Sequence, residues 1–599
     1  MLQKNQTANK SASCPDNLAT ASGAIIRRLR IERFRGIEQL EWNPASGLNV
    51  ILGGGDVGKT TILDAIGLLL SPTNSTTLAD TDYYGRAIAA EFSIEADVSL
   101  PSECDIDHQT KTAWPWRWDG SQAVVPRVGE EALSTIPVYR LRVRGTEDLE
   151  LAYEVVQPDG AADSLSVMLR RSIGLVRLSG EGRNDRDLRL VQGAALERLL
   201  ADKNLRSRMT NELAKSPVQG VLSDEGRAAL SSLNNTFKLE KLPSGLDLAL
   251  TGSPGASIAS MVGLTAALDG VQLPLATWGA GTRRLAALLI SEQNQGDAPI
   301  TLVDEVERGL EPYRQRLLLE RLQDDGAQVF ITTHSPSVIA ASSQGAFWYM
   351  DSAGNLGPLD GRKIAKHRAA DPNLFLSRLA IVGEGATEVG FTCALLERAL
   401  GCSLLRRGIH VSNGGGHEET LELLEALSNA GLQFGCFADD EGGKYAERWK
   451  AVSKAQSNLV FRWANGCLEE NIIAAVPEAQ LEALIRDPKG EKTGKRLRTL
   501  ANRLNISEKD FATVCAAAGK DFRALIIDAA LGRVPPGKQS EAKAYRSDAQ
   551  DWFKTEVGGR ELEAKVFDLG LWVVFASRLL PFCNAVCGAV ELPEVKDLA

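Results

Sequence analysis

Two groups of residues in this chain have the types and spacing to do chemistry on phosphates. In the first, Gly53 and Gly58-Lys59-Thr60 stand at Gly-x4-Gly-Lys-Thr spacing, between an apolar run (Leu48–Leu52) and a helical pattern starting near Lys59. Glycines let backbone N–H groups face inward as an anion nest, and a helix N-terminus adds partial positive charge. Gly53, Gly55, Gly58, Lys59, Thr60 and Thr61 are therefore the candidate nucleotide contacts. Lys59 would reach the β- and γ-phosphates of ATP, and the Thr60 hydroxyl would ligate Mg²⁺. Much later, Pro299–Leu310 is an apolar run that turns acidic at Asp304-Glu305. Asp304 would hold the cation, and Glu305 would orient or deprotonate the attacking water. A further apolar strand, Gln328–Thr333, is closed by His334, placed to hydrogen-bond a γ-phosphate. Gly279 and Gly281 open the helical stretch RRLAALLI and form a second anion nest.

The second group is acidic. Glu384 ends an apolar strand and enters a tight glycine turn, Gly383-Glu384-Gly385, with Glu388 on the helix that follows. Asn413–Thr420 is another glycine turn before a helix. Gln433–Ala438 ends in Asp439-Asp440-Glu441, where strand alternation puts Asp439 and Glu441 on one side. Glu469 and Glu470 follow. Acids gathered at the ends of strands suit hard divalent cations, Mg²⁺ or Mn²⁺.

The elements that must position these groups are readable in outline. Residues 24–42 alternate apolar and charged, as a half-buried strand pair does, and Glu91–Leu100 and Tyr139–Val156 continue in strand character. Residues 101–135 are rich in proline and tryptophan and predict a loop-rich insertion. Helical spacing from Ala194 to about Lys238 predicts a helical insertion, for packing or for a dimer contact. With 599 residues, 44% hydrophobic and 24% charged, the chain predicts two to four soluble domains. No window approaches eighteen uninterrupted apolar residues, so no membrane span is expected. Residues 1–23 are polar and predict a disordered lead-in. Nine cysteines without metal-like pairing suit the reduced thiols of a cytoplasmic protein. A net charge of −10 restricts nucleic-acid contact to local basic patches, and Lys489–Arg503 is the stretch expected to meet phosphates.

Over residues 24–350 the motifs resemble the ABC-type ATPases of the SMC/RecF kind. That resemblance implies that the Gly279–Gly281 loop binds the nucleotide held by another protomer's Lys59, and hence a homodimer or higher homo-oligomer. The P-loop departs from that pattern in reading GGGDVGKT, and Glu311-Pro312 stands where many relatives have His-Pro. The acids after residue 375 resemble a Toprim domain. An ABC-type ATPase followed by Toprim is the layout of the OLD (overcoming lysogenization defect) family nucleases, shared by the Gabija antiphage nuclease subunit.

The fold class this implies is α/β, an SMC/RecF-like ABC ATPase domain with a helical insertion followed by a Toprim domain. The expected segments are 24–190 and 241–370 for the ATPase, 191–240 for the insertion, and 371–599 for Toprim with a C-terminal helical region. The resemblance also implies Glu384, Glu388, Asp439 and Glu441 as metal ligands, with Glu469 or Glu470 as a further one. It implies a lysine near the scissile phosphate, Lys554 or Lys565. The function implied is an ATP-regulated, metal-dependent endonuclease acting on double-stranded DNA in antiphage defence; a helicase encoded nearby would indicate a Gabija-type complex. The alternative is an ATP-driven DNA-binding or clamp-like protein with a non-catalytic Toprim domain. A topoisomerase would need a tyrosine in a DNA-binding domain, and none of the eight tyrosines has such surroundings.

Overall fold

In the computed structural model the chain folds as two units, residues 1–356 and 357–599. The structure describes residues 23–598 except 75, 102–103, 105, 107–111, 127–135, 179–186, 192–193, 201–221, 251–261, 294–297, 325, 360–361, 441 and 488. Residues 1–22 of the expected lead-in thus lie outside the described residues. The division falls earlier in the chain than the expected 370/371, because helix Arg362–Ala370 packs on helix His417–Asn429 of the second unit.

The first unit packs two large sheets around one helix and adds a small antiparallel sheet of Asp247–Leu250, Val262–Leu268 and Val271–Pro274. Ile25–Phe34 and Ile37–Trp42 pair antiparallel, and Phe92–Ser99, Ile136–Gly145 and Leu151–Val156 extend that sheet. In the other sheet Leu175–Leu178, Ile300–Val303, Val329–Thr332, Leu48–Gly53 and Ala346–Met350 lie side by side, all parallel. Helix Lys59–Leu69 lies between the sheets. Its Ile62, Leu63, Ile66 and Leu69 share a core with Ile94 and Leu141 of one sheet and Leu302 and Phe330 of the other. Each such fully buried side chain contributes about 1.5–3 kcal/mol, so the start of this helix is held firmly against the strand ends.

Of the expected helical insertion, Ala195–Leu200 and Asp224–Leu239 are helices, and residues 201–221 lie outside the described residues. Ser223 caps the second helix by accepting from Gly226 N–H at 3.1 Å. Leu196, Leu233 and Phe237 pack with Ala286, Leu289 and Ile290 of helix Ala280–Glu292. In the expected loop-rich stretch two short strands form, Trp116–Trp118 and Ala123–Val124.

The second unit is built on four parallel strands in the order Ile409–Asn413, Leu379–Gly383, Phe434–Ala438, Val460–Arg462. The chain therefore steps to one side of its first strand and then returns to the other. In such sheets the crevice at the carboxyl ends of the first and third strands is where ligands are taken up. Phe437 stacks on Phe461 with centroids 4.5 Å apart, and Phe582 meets Phe437 edge-on at 5.8 Å. Phe582 belongs to helix Trp572–Ala589, which is long and apolar enough to cross a membrane. Its Phe575, Leu579, Phe582, Cys583 and Val586 are all in the core of this unit.

Part of the basic stretch Lys489–Arg503, expected to meet phosphates, is engaged within the fold. On helix Thr493–Leu504, Arg496 has no exposed side-chain surface and makes a bidentate pair with Glu561, both contacts at 2.7 Å. Lys495 pairs with Asp551 at 3.2 Å, and Arg503 turns in over the Tyr545 ring. Lys489 and Arg498 are exposed, and Lys492 is half-buried.

Candidate functional site

The two nucleotide motifs meet at the carboxyl edge of the parallel sheet of the first unit. Gly53 (φ 150) and Gly58 (φ 105) take backbone conformations that L side chains rarely adopt, which frees the loop to curl. A Cβ on Gly53 would also stand 2.5 Å from the Met350 carbonyl oxygen. Lys59 is buried, and its Nζ donates to the carbonyls of Gly53, at 3.1 Å, and Gly54. Burial pulls its pKa down, while Asp304, Asp56 and Glu305 act to raise it.

The strand between the two motif strands supplies the join. Thr332 Oγ1 donates to Asp304 Oδ1 at 2.6 Å and accepts from Glu305 N–H at 2.8 Å. Thr60 Oγ1 donates to the same carboxylate at 3.1 and 3.2 Å. The hydroxyl expected to ligate a cation and the carboxylate expected to hold it are thus in direct contact. Glu305 has a left-handed backbone (φ 50) and a half-exposed carboxylate, 3.5 Å from Arg308. His334 is exposed, with its N–H donating to Glu307 Oε1 at 2.6 Å.

Gly279 caps helix Ala280–Glu292 in the open, with nothing within 4 Å of an added Cβ. Gly281 differs, since a Cβ there would lie 2.1 Å from the Gly309 carbonyl oxygen. Its smallness serves close packing of the helix start against the turn after Asp304. Thr61 follows Thr60 in the first turn of its helix, and nothing lies within 4 Å of a Cβ on Gly55.

In the second unit the acids converge on the sheet crevice. Glu384 follows the first strand, and its Oε2 accepts from Asp439 N–H, at the end of the third strand, at 3.1 Å. Asp439 Oδ1 accepts from Leu468 N–H at 2.9 Å, which seats the helix carrying Glu469 over the same point. Glu388 and Glu469 are buried, and Glu388 Oε1 and Glu469 Oε2 have no hydrogen-bond partner. Burial and then the charge of Glu469 push the Glu388 pKa up to about 7; burial and then Glu388, Glu469 and Glu384 push Asp439 up to about 9.

The paired alternatives separate cleanly in space. Glu469 Oε1 receives Lys554 Nζ at 2.8 Å. Glu470 instead accepts from Cys467 N–H at 3.1 Å as a helix capping box and pairs with Arg533. Lys565 is taken up by the carbonyls of Ala483 and Arg486 at 2.5 and 2.6 Å. Glu441 lies outside the described residues. Lys554 is placed by a close helix crossing. A Cβ on Gly390 would lie 1.9 Å from Glu556 O, and one on Gly559 would lie 2.1 Å from Thr387 O. Thr387 Oγ1 also donates to Phe553 O at 3.0 Å, one residue before Lys554.

Residues 183–340 match the family described as "AAA domain, putative AbiEii toxin, Type IV TA system", and residues 28–122 match a second AAA domain family. The first unit carries an ATPase domain. Among solved structures, an Smc head bound to the C-terminal winged-helix domain of ScpA is 15% identical, covering 57% of this chain and 99% of its own, with a TM-score of 0.37. RecF of the RecFOR pathway with an ATP analogue is 15% identical over 57% of this chain and 100% of its own, TM-score 0.35. An Smc head from Pyrococcus furiosus with an extended coiled coil, bound to the C-terminal domain of ScpA, is 13% identical over 57% and 98%, TM-score 0.35. No curated protein matches the chain.

Four residues at these sites escaped the motifs. In the ATPase domain, Arg284 is buried and donates to the carbonyls of Asp304 and, at 3.1 Å, Arg308; burial pulls its pKa down to about 10. It ties the Gly279 helix to the acidic turn. Glu307 holds Thr333 Oγ1 and His334 N–H, both at 2.6 Å. In the second unit, His417 Nδ1 lies 3.2 Å from Glu384 Oε2, and its Nε2 accepts from Trp449 Nε1–H at 3.2 Å. Because the indole can only donate, the His417 proton sits on Nδ1 and is directed at Glu384. Cys467 joins Asp439 and Glu469, one donor atom from each lying within 4.8 Å of the others.

For the ATPase domain, Lys59→Ala should weaken ATP binding by about 10- to 150-fold, the roughly 1.5–3 kcal/mol of a charged hydrogen bond. Glu305→Gln should leave binding near wild type while slowing hydrolysis. Fluorescent-nucleotide titration and phosphate release on the two variants test this. Equal loss of binding in both would show that Glu305 is misassigned.

Proposed function

We propose that the chain is an ATP-regulated, divalent-metal-dependent DNA endonuclease of the OLD type, acting in defence against phage. The observation that supports it best is the convergence of Glu384, Glu388, Asp439 and Glu469 on one crevice, with a single lysine, Lys554, against them. Four buried carboxylates with one ammonium are short of positive charge, and two of their oxygens have no hydrogen-bond partner. That donor set fits Mg²⁺ or Mn²⁺, which take carboxylate oxygens. A bound cation pair would activate water and stabilise charge on the leaving oxygen.

The protein's own groups divide the remaining work. Asp439, Glu384, Glu388 and Glu469 hold the cations, and Glu441 completes the set that the family pattern implies. His417 fixes one oxygen of Glu384 and so orients the other. Lys554 releases Glu469 to the cation and offsets the negative charge that develops on the phosphate. In the ATPase domain, Gly53, Gly55, Gly58, Lys59, Thr60 and Thr61 hold the phosphates of ATP, and Thr60 and Asp304 hold its Mg²⁺. Glu305 and His334 face the γ-phosphate, and Gly279 and Gly281 complete the site of a second protomer, so the working form is a homodimer or larger. The substrate is double-stranded DNA.

The test is cleavage of a supercoiled plasmid with Mg²⁺ or Mn²⁺, with and without chelator. Asp439→Ala should cut at least about 10²-fold more slowly than wild type, the loss typical of removing one electrostatic stabiliser, with ATP binding unchanged. Lys59→Ala should alter the response of cutting to ATP. Wild-type cutting by Asp439→Ala would sink the nuclease reading.

A further inference from the structure

We propose that Cys467 gives the acid cluster of the second unit a second mode, a site for a thiophilic cation such as Zn²⁺ or Cd²⁺ that excludes the hard cation and blocks cutting. The blocking half rests on the nuclease reading above; the binding half stands on geometry alone.

Cys467 is the N-cap of helix Leu468–Ala475, which places its sulfur beside the acids, and burial and then the charge of Glu469 keep it a thiol until a cation displaces the proton. Its sulfur, an Asp439 oxygen and a Glu469 oxygen lie within 4.8 Å of one another. In a tetrahedral site with Zn–S near 2.3 Å and Zn–O near 2.0–2.2 Å, donors stand roughly 3.3–3.7 Å apart. Small side-chain rotations close that difference. Glu469 is fully buried, and with Oε1 on Lys554 its Oε2 is left without a hydrogen-bond partner. That orphaned oxygen is the independent sign of a missing ligand.

The chemistry separates the two kinds of cation. Mg²⁺ takes oxygen donors and gains nothing from sulfur, whereas Zn²⁺ and Cd²⁺ prefer thiolate. On binding, the S–H bond breaks, a sulfur–metal bond forms, and the proton passes to the buffer. Two carboxylates and a thiolate leave one tetrahedral position for water. Both modes draw on Asp439 and Glu469, so occupancy by one excludes the other. Among the described residues no other cysteine stands in a cluster of three such donors.

The experiment is Cd²⁺ titration of the metal-free full chain, followed by the ultraviolet charge-transfer absorbance of cadmium–thiolate bonds. Wild type should gain one saturable equivalent that Cys467→Ser and Cys467→Ala both lose and that Cys515→Ser keeps. Asp439→Asn, with the thiol intact, should bind Cd²⁺ at least about tenfold more weakly, since even supporting groups of metal sites cost 10–100-fold. In the plasmid assay, Cys467→Ser should need at least about tenfold more Zn²⁺ for half-inhibition than wild type. Wild-type absorbance in the Cys467 variants, or undiminished binding by Asp439→Asn, overturns the inference. Loss of the band with no cutting by any form leaves the metal site standing and removes the nuclease reading instead.

Discussion

Gly390→Ala is expected to lower the melting temperature of the second unit and, on the nuclease reading proposed above, to slow plasmid cleavage at temperatures where the variant is still folded. The added methyl would sit 1.9 Å from the Glu556 carbonyl oxygen and 2.7 Å from its carbon, both backbone atoms that cannot rotate away. The helices Ala386–Leu400 and Glu556–Asp568 would have to separate. Overpacking of this kind costs about 1–3 kcal/mol, and at roughly 2–4 °C per kcal/mol the melting temperature falls by roughly 2–12 °C. Activity suffers for a different reason. The first helix carries Glu388, and the second begins just after Lys554, so the strain acts on the cluster itself. Gly559→Ala should behave alike, since its methyl would meet Thr387 O at 2.1 Å. Gly588, in helix Trp572–Ala589, has nothing within 4 Å, and Gly588→Ala should be neutral or stabilising. Calorimetry with plasmid cleavage at a common low temperature measures both effects. A Gly390→Ala protein that melts and cuts as wild type would show that the crossing carries neither load.

What the sequence disclosed follows from how locally each feature is encoded. The P-loop was legible because glycines, lysine and threonine do their work within one strand–turn–helix, and Gly53 and Gly58 do take positive φ. Asp304, Glu384 and Asp439 were legible because each ends an apolar run, and the strands duly end there. Glu469 and Glu470 are adjacent, so helix rotation turns them apart, and only the partners, Lys554 and Arg533, decide which faces the cluster. Lys554 and Lys565 likewise differ only in what the crossing helices bring near them. Arg496 sat in a run read as a phosphate surface, yet its partner Glu561 is 65 residues away. His417 and Cys467 carry no spacing signal at all. The surroundings of one are set by Trp449 and Glu384, and those of the other by Asp439 and Glu469.

The same crowding of acids sets an expected pH response. In chelator, the second unit should lose stability as pH rises from about 4 towards 9, and Mg²⁺ or Mn²⁺ should restore it most at the alkaline end. Glu388 is raised from 4.5 to about 7, by burial first and by Glu469 next. Asp439 is raised from 3.8 to about 9, by burial first and then by Glu388, Glu469 and Glu384. In the unfolded chain both titrate near their ordinary values, so across this window the folded state holds protons that the unfolded state has released. Stability falls with pH wherever the folded state binds more protons. The contribution is therefore whole below about 4, declines through the window, and is flat above the raised values. Lys554 works against the decline, because Glu469 and Glu388 keep it charged, but one ammonium cannot offset all the carboxylates. A dication can, and it binds only the deprotonated acids, which is why its stabilisation should grow with pH. Asp439→Asn removes one titrating group while keeping its shape, so its melting temperature should fall less between pH 6 and 9 than that of wild type. Melting curves across that range, in chelator and in Mn²⁺, decide the matter. A metal-free Asp439→Asn protein with as steep a decline as wild type would mean that the proton held in the folded cluster is not on Asp439.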